Sequence, residues 1–270
     1  MRVTVDGTTL EVAVTGEGPP VVLLHGFPDR GRLWRHQVDA LVGAGFRTIV
    51  PDQRGYGGSD QPPDVAAYSI PMLVGDVIGV LDHLGVERAA VVGHDWGAAV
   101  AWATASFVPE RVERLVALSV GHPGAFRAAG FAQREKSWYM LAFQFAGIAE
   151  EWLTRDGWAM FREWSGHPDA DAVIADLEAS GSLTPGLSWY RANLPPSSLL
   201  DPAPALPPIP CPTMGVWSTE DRFLVEAQMT GSAPFVAGPW RYERVEGAGH
   251  WMQLDAPDTV NRLLLEFLAA

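Results

Sequence analysis

Asp95 stands at the centre of Gly93-His94-Asp95-Trp96-Gly97, directly after the apolar run Ala89-Ala90-Val91-Val92 and before the small-residue run Ala98-Ala99-Val100-Ala101. That succession reads as strand, sharp glycine turn and helix, the setting in which Gly-x-Ser-x-Gly presents a nucleophilic serine. An aspartate at the tip selects other reactions. Serine attacking a saturated carbon would leave a stable ether, whereas a carboxylate leaves an ester that water can cleave. Two further residues complete the chemistry. Asp221 lies in Ser218-Thr219-Glu220-Asp221-Arg222, and His250 in Glu246-Gly247-Ala248-Gly249-His250-Trp251, each just beyond a strand-like run. An ionised Asp95 has no proton to surrender, so His250 is expected to activate water against the Asp95 ester. Asp221 would orient the imidazole and stabilise its cation. Glu220 beside it and the more distant Glu226 are rivals for that acid position.

A third element supports the same reading. His25-Gly26-Phe27-Pro28 follows the apolar run Val21-Val22-Leu23-Leu24. Backbone N–H groups of such a loop, joined by the N–H after the nucleophile, form an oxyanion hole, and Phe27 and Trp96 are assigned as its donors. An ordinary tight turn is the simpler alternative. His25 and His94 are expected to brace the loop and the elbow. His36, His83, His122 and His167 fall in helical or junction contexts and read as surface or structural residues.

These residues need a scaffold that gathers strand ends. Val3–Val5 and Leu10–Val14, joined through Asp6-Gly7, predict an antiparallel hairpin. Val21–Leu24 predicts a strand buried on both faces, Leu33–Val42 a helix, Arg47–Val50 a strand, Met72–Leu84 a helix and Leu115–Leu118 a strand. This alternation is the signature of an α/β fold with a mostly parallel, doubly wound sheet, in which catalytic groups collect at the carboxyl ends of strands. At His122-Pro123-Gly124 the rhythm breaks. Helical segments rich in aromatics, among them Trp138, Trp152, Trp158, Trp164 and Trp189, run on to about Pro208. The Pro-rich stretch Pro202-Ala203-Pro204-Ala205-Leu206-Pro207-Pro208 would close this insertion as a stiff linker. Strand patterning resumes at Thr213–Trp217 and Tyr242–Val245, and Pro257–Leu268 predicts an amphipathic closing helix. The expected plan is a core of residues 1–121 and 209–270 with a helical cap over 122–208.

Composition narrows the function classes. The 270 residues are 47% apolar and 19% charged, enough for one large domain with an insertion. A net charge of −13 argues against nucleic acid and anionic membranes as partners. The N-terminus reads as strand and turn with no signal peptide, and no apolar stretch approaches the roughly 20 residues of a bilayer span. Cys211 is alone, which fits a cytoplasmic protein, and its place between Pro210 and Pro212 suggests a structural role. Lys136 is the single lysine and reads as compositional bias. No Cys/His cluster or phosphate loop points to a metal or cofactor, so none is expected.

The chain resembles an epoxide hydrolase of the α/β-hydrolase superfamily over nearly its whole length. His25-Gly26-Phe27-Pro28-Asp29 with Trp34-Arg35, then Asp52-Gln53-Arg54-Gly55-Tyr56-Gly57-Gly58-Ser59-Asp60, match that family's oxyanion and following-loop motifs. Gly93-His94-Asp95-Trp96-Gly97-Ala98 and Gly249-His250-Trp251-Met252-Gln253 are similar to its nucleophile and base motifs. The resemblance implies two cap tyrosines that activate the epoxide oxygen. Tyr139, in Trp138-Tyr139-Met140-Leu141, and Tyr190, in Trp189-Tyr190-Arg191-Ala192-Asn193, occupy matching strings. It further implies a small hydrophobic epoxide as substrate, opened to a vicinal diol, with Phe27, Trp96 and Trp189 as contacts, and a monomer or homodimer. Two other readings stay open. A haloalkane dehalogenase would share the Asp95 ester and draw halide donors from the cap indoles, although many carry Asn or Glu where Phe27 stands. A non-catalytic ligand-binding member would normally have lost one of these residues.

Overall fold

A computed structural model describes residues 1–200 and 206–269. Its eight strands form one sheet in the order β1-β2-β4-β3-β5-β6-β7-β8. The hairpin of β1 (Arg2–Val5) and β2 (Thr8–Thr15) is antiparallel, and β2 runs antiparallel to β4 (Arg47–Pro51). From β4 onward every pairing is parallel, through β3 (Pro20–Leu24), β5 (Ala89–His94), β6 (Val112–Leu118), β7 (Thr213–Ser218) and β8 (Trp240–Val245). The continuous apolar runs have their physical cause here. Central strands flanked by helices are buried on both faces, and all six residues of β5 are buried.

The sheet order reverses between β3 and β5. Such a switch point opens a crevice at the carboxyl ends of the strands. The loop after β3 carries Phe27 and the turn after β5 carries Asp95, so the two sequence motifs meet there.

Helices α1 (Arg35–Gly43), α2 (Ile70–His83) and α3 (Trp96–Phe107) follow in the first half. The expected helix at Leu33 begins as a short 3-10 turn, Gly31–Trp34, before α1. β6 starts three residues earlier than its apolar run suggests: Val112 pairs with Ala89 and Arg114 with Ala90, and a bulge leaves the exposed Glu113 between them unpaired.

Between β6 and β7 the described residues form helices and loops and no named strand. They make α4 (Pro123–Ala128), α5 (Phe131–Lys136), α6 (Trp138–Ala142), α7 (Ile148–Ser165), α8 (Ala170–Ser180) and α9 (Leu183–Asn193). α7 is broken at Arg155–Trp158, where Asp156, Gly157 and Trp158 take positive φ. The Pro-rich linker overlaps residues 201–205, which lie outside the described residues. The aromatics of this stretch divide. Phe143, Phe161 and Trp189 are fully buried, while Phe131, Trp138 and Phe145 are exposed.

α10 (Glu226–Thr230) and α11 (Met252–Asp255) precede α12 (Pro257–Leu268). α12 buries Val260, Leu263, Leu264, Phe267 and Leu268, a helical i, i+3, i+4 stripe; each such side chain contributes at most about 1.5–3 kcal/mol. Cys211 is buried just ahead of β7 and burial pushes its thiol pKa up, consistent with a packing role.

Arg30 and Arg32 reach Asp176 at 2.9 and 3.4 Å, and Arg35 reaches Asp169 at 2.7 Å, pinning α8 against the core. This seam borders a shallow, open cleft whose lining includes Pro28, Tyr56 and Leu177 but none of the residues assigned chemistry above.

Candidate active site

The elbow is built by close packing. Asp95 sits at φ 53°, ψ −122°, a conformation costly for an L-residue by about 1–3 kcal/mol. The glycines around it explain why the chain accepts that cost. A Cβ on Gly93 would lie 2.2 Å from the Gly97 carbonyl oxygen, and one on Gly97 would lie 2.0 Å from that of Leu24. Gly26 is equally constrained, since a Cβ there would meet Asp95 Oδ1 at 2.3 Å. Its bareness lets the Phe27 N–H donate to Asp95 Oδ1 at 2.9 Å. Trp96 opens α3, where backbone N–H groups have no intrahelical partner.

The bracing histidines are where the sequence puts them. His25 bridges the Gly26 carbonyl, 3.0 Å from Nδ1, and accepts the Gln53 N–H on Nε2 at 2.9 Å. His94 Nε2 donates to the His250 carbonyl at 2.9 Å. Burial, then the neighbouring His250 ring, lowers the His94 pKa to about 4, so it is a neutral strut.

His250 and Asp221 come together from separate loops. His250 Nδ1 lies 2.9 Å from Asp221 Oδ2, and Asp221 Oδ1 accepts the N–H groups of Phe223 at 2.8 Å and Leu224 at 3.0 Å. His250 Nε2 faces Asp95 Oδ2 at 3.6 Å, too long for a direct hydrogen bond. Burial works against a charged imidazole, but the Asp221 carboxylate and then Asp95 outweigh it and push the pKa up to about 10. Of the rival acids, Glu220 is exposed, and Glu226 accepts the Tyr242 hydroxyl at 2.7 Å.

Tyr139 and Tyr190 are each 3% exposed, with ring centroids 6.1 Å apart. Tyr190 stands edge-on to Phe27 at 5.7 Å and to Trp96 at 5.0 Å. Tyr139 packs on Phe223 at 5.4 Å, and Phe223 in turn lies 5.1 Å from His250. Burial first, and the Asp95 charge second, push both phenols well above the usual tyrosine range. Both therefore keep their protons at neutral pH and can act as hydrogen-bond donors.

Trp189, the remaining aromatic assigned as a substrate contact, lies beside Trp96. It has 0% exposure, its indole N–H donates to the Arg54 carbonyl at 3.1 Å, and its ring backs Trp96 at 6.0 Å. Trp158 is likewise engaged, donating to Glu178 at 2.7 Å. Among the cap indoles, Trp164 keeps a buried N–H without a hydrogen-bond partner, and its ring packs on Tyr139 at 5.1 Å.

Two features escape the sequence. Lys136, set aside as compositional bias, donates from Nζ to the Asp221 carbonyl, and Gln133 one turn earlier donates to the Phe223 carbonyl at 2.8 Å. α5 thus holds the loop of the acid. His167 is fully enclosed and lies 3.2 Å from Asp29, which also accepts the Trp251 indole N–H at 2.8 Å. The one sequence signal for this is the carboxylate of Asp29 at the end of His25-Gly26-Phe27-Pro28-Asp29. Among the described residues no group of three or more His, Cys, Asp or Glu side chains could hold a metal ion. No helix among them is long and apolar enough to cross a membrane.

Known proteins share this arrangement of strands and loops. The α/β-hydrolase fold family matches residues 19–257. Epoxide hydrolase A of Mycobacterium tuberculosis is 35% identical, with 97% of this chain and 95% of that protein covered. The AB hydrolase superfamily protein YfhM of Bacillus subtilis is 37% identical over 98% of this chain and 96% of its own. A solved epoxide hydrolase of Bacillus megaterium, in complex with an inhibitor, superposes with a TM-score of 0.91 at 29% identity, covering 100% of both chains. With an aspartate at its elbow and these relatives along its whole length, the chain belongs to the α/β-hydrolase fold family and, within it, to the epoxide hydrolases.

Proposed function

We propose that this enzyme opens a small hydrophobic epoxide to a vicinal diol through a covalent ester on Asp95. The observation that carries the reading is the split environment of one carboxylate. Asp95 Oδ1 is held by the Phe27 N–H, while Oδ2 is turned toward His250. Oδ2 is then the attacking atom, and Oδ1 becomes the ester carbonyl oxygen already facing its donors. Trp96 N–H is the second donor in this scheme. They stabilise Oδ1 when the carbonyl turns tetrahedral.

Attack forms an O–C bond and breaks the ring C–O bond. The freed alkoxide takes a proton from the Tyr139–Tyr190 pair, both of whose phenols are protonated in the free enzyme. Esterification also removes the Asp95 charge, one of the two anions that favour a protonated His250. The proton His250 releases restores the tyrosine pair, leaving a neutral imidazole to accept one from water. Hydroxide adds to the ester carbonyl, the diol departs, and Asp95 and the His250 cation return. Asp221 orients the ring throughout.

In this reading residues 122–208 act as the cap and residues 1–121 and 209–270 as the catalytic core, working in the cytoplasm as a monomer or homodimer. The two buried phenols of Tyr139 and Tyr190, protonated and side by side, suit a leaving oxygen that stays tethered to its substrate, which favours an epoxide over the haloalkane alternative.

Intact-protein mass spectrometry on His250→Gln tests the proposal. An epoxide panel should add the whole epoxide mass to Asp95, once per chain. A haloalkane panel giving the only adduct, by alkyl transfer with loss of HX, would overturn it. Replacing both Tyr139 and Tyr190 by Phe should abolish adduct formation.

A further inference from the structure

Among the cap side chains that touch the catalytic loops, His167 is one that none of this chemistry uses. His167 lies between α7 and α8, in the helical insertion, and is buried. Its Nδ1 accepts the Asp169 N–H at 2.9 Å. An accepting Nδ1 places the ring proton on Nε2, which faces both Asp29 oxygens at 3.2 and 3.3 Å. The other donor to that carboxylate is the Trp251 indole N–H at 2.8 Å, and the His167 and Trp251 rings are 4.2 Å apart.

Each partner of His167 sits beside a different working part. Asp29 closes the oxyanion loop, its N–H donating to the Gly26 carbonyl at 3.0 Å, with Phe27 inside that turn. Trp251 directly follows His250, and the two rings are 4.9 Å apart. Cap residues just before His167 reach the third loop, where Arg222 donates to the Glu163 carbonyl at 3.1 Å and that of Trp164 at 3.2 Å. A buried carboxylate left without its donors costs free energy, so the Asp29 cluster is satisfied only when cap, oxyanion loop and base loop are all seated.

We infer that His167 is a positioning residue: through Asp29 and Trp251 it ties seating of the cap to the placement of the Phe27 N–H and of His250. This rests on the covalent mechanism proposed above. Phe27 N–H and His250 both serve the hydrolytic half-reaction, so loosening this tie slows ester hydrolysis more than ester formation. A displacement of about 1 Å in such groups costs on the order of 10²-fold.

The test compares His167→Leu, which keeps bulk but loses both hydrogen bonds, with His167→Gln, which keeps a donor for Asp29. Trp251→Phe, which removes the other donor, serves should His167→Leu fail to fold. With an epoxide that the wild type turns over, rapid-quench mass spectrometry reads the rate of adduct formation and the steady-state fraction of Asp95 ester. His167→Leu and Trp251→Phe should lower kcat about 10- to 100-fold, raise the ester fraction and leave adduct formation within about threefold. His167→Gln should recover most of kcat. A folded His167→Leu with unchanged ester fraction, or with formation and hydrolysis slowed equally, overturns the inference. If His250→Gln traps no ester at all, it is the covalent mechanism that fails instead.

Discussion

Two buried histidines in this molecule face a carboxylate, and they differ in what the second nitrogen meets. His250 and Asp221 are 2.9 Å apart, His167 and Asp29 3.2 Å. Both carboxylates are further held by N–H donors, backbone at Asp221 and indole at Asp29. At His167 the remaining nitrogen is consumed by the Asp169 N–H. At His250 it is turned to Asp95 across 3.6 Å. An acid–imidazole pair is therefore no signature of catalysis by itself. In the proposed mechanism the unclaimed nitrogen facing Asp95 serves as a base, and the claimed one leaves His167 to act as a joint.

Breaking the pairs one at a time tests that distinction. Asp221→Asn should lower kcat by about 10⁴-fold, because the amide no longer enforces the ring tautomer or supports its cation. Asp29→Asn should cost far less, on the order of tenfold, since it disturbs placement and not proton transfer. Comparable losses in steady-state diol formation would erase the contrast.

Stability against pH separates them again. Folding raises the His250 proton affinity above its unfolded value near 6.5 to about 10, with Asp221 and Asp95 overcoming the opposing burial. That contribution is complete below pH 6.5 and fades as pH climbs through the folded value near 10. Melting temperature should fall over this alkaline range, and His250→Gln should flatten the fall. An equal slope in both proteins would show that the charge is not held as described. The smallest effect belongs to the outer seam. Asp176→Ala removes the partly exposed carboxylate shared by Arg30 and Arg32, and chemical denaturation should register a loss of about 1 kcal/mol or less.

What could be read from the chain alone was whatever is local. The elbow, the oxyanion loop and α12 are encoded in residues within a turn or two of each other, so spacing reveals them. The roles of Lys136 and His167 are not local. Lys136 meets a carbonyl 85 positions away, and His167 a carboxylate 138 positions away. Neither partner changes the composition or periodicity around it. The break in α7 is announced only in part: Asp156-Gly157 is a turn signal, but the positive φ of Trp158 has no glycine to mark it.

The missing side chain at Gly26 has a consequence for anyone wishing to retrain this enzyme. With even a methyl group there arriving 2.3 Å from Asp95 Oδ1, the floor beneath the nucleophile has no slack for redesign. New substrates would have to be accommodated from the opposite side, where Phe143, Trp164 and Phe223 pack ring against ring. A mutant library spent on the aromatic roof samples shape; one spent on the glycine floor samples only broken catalysts.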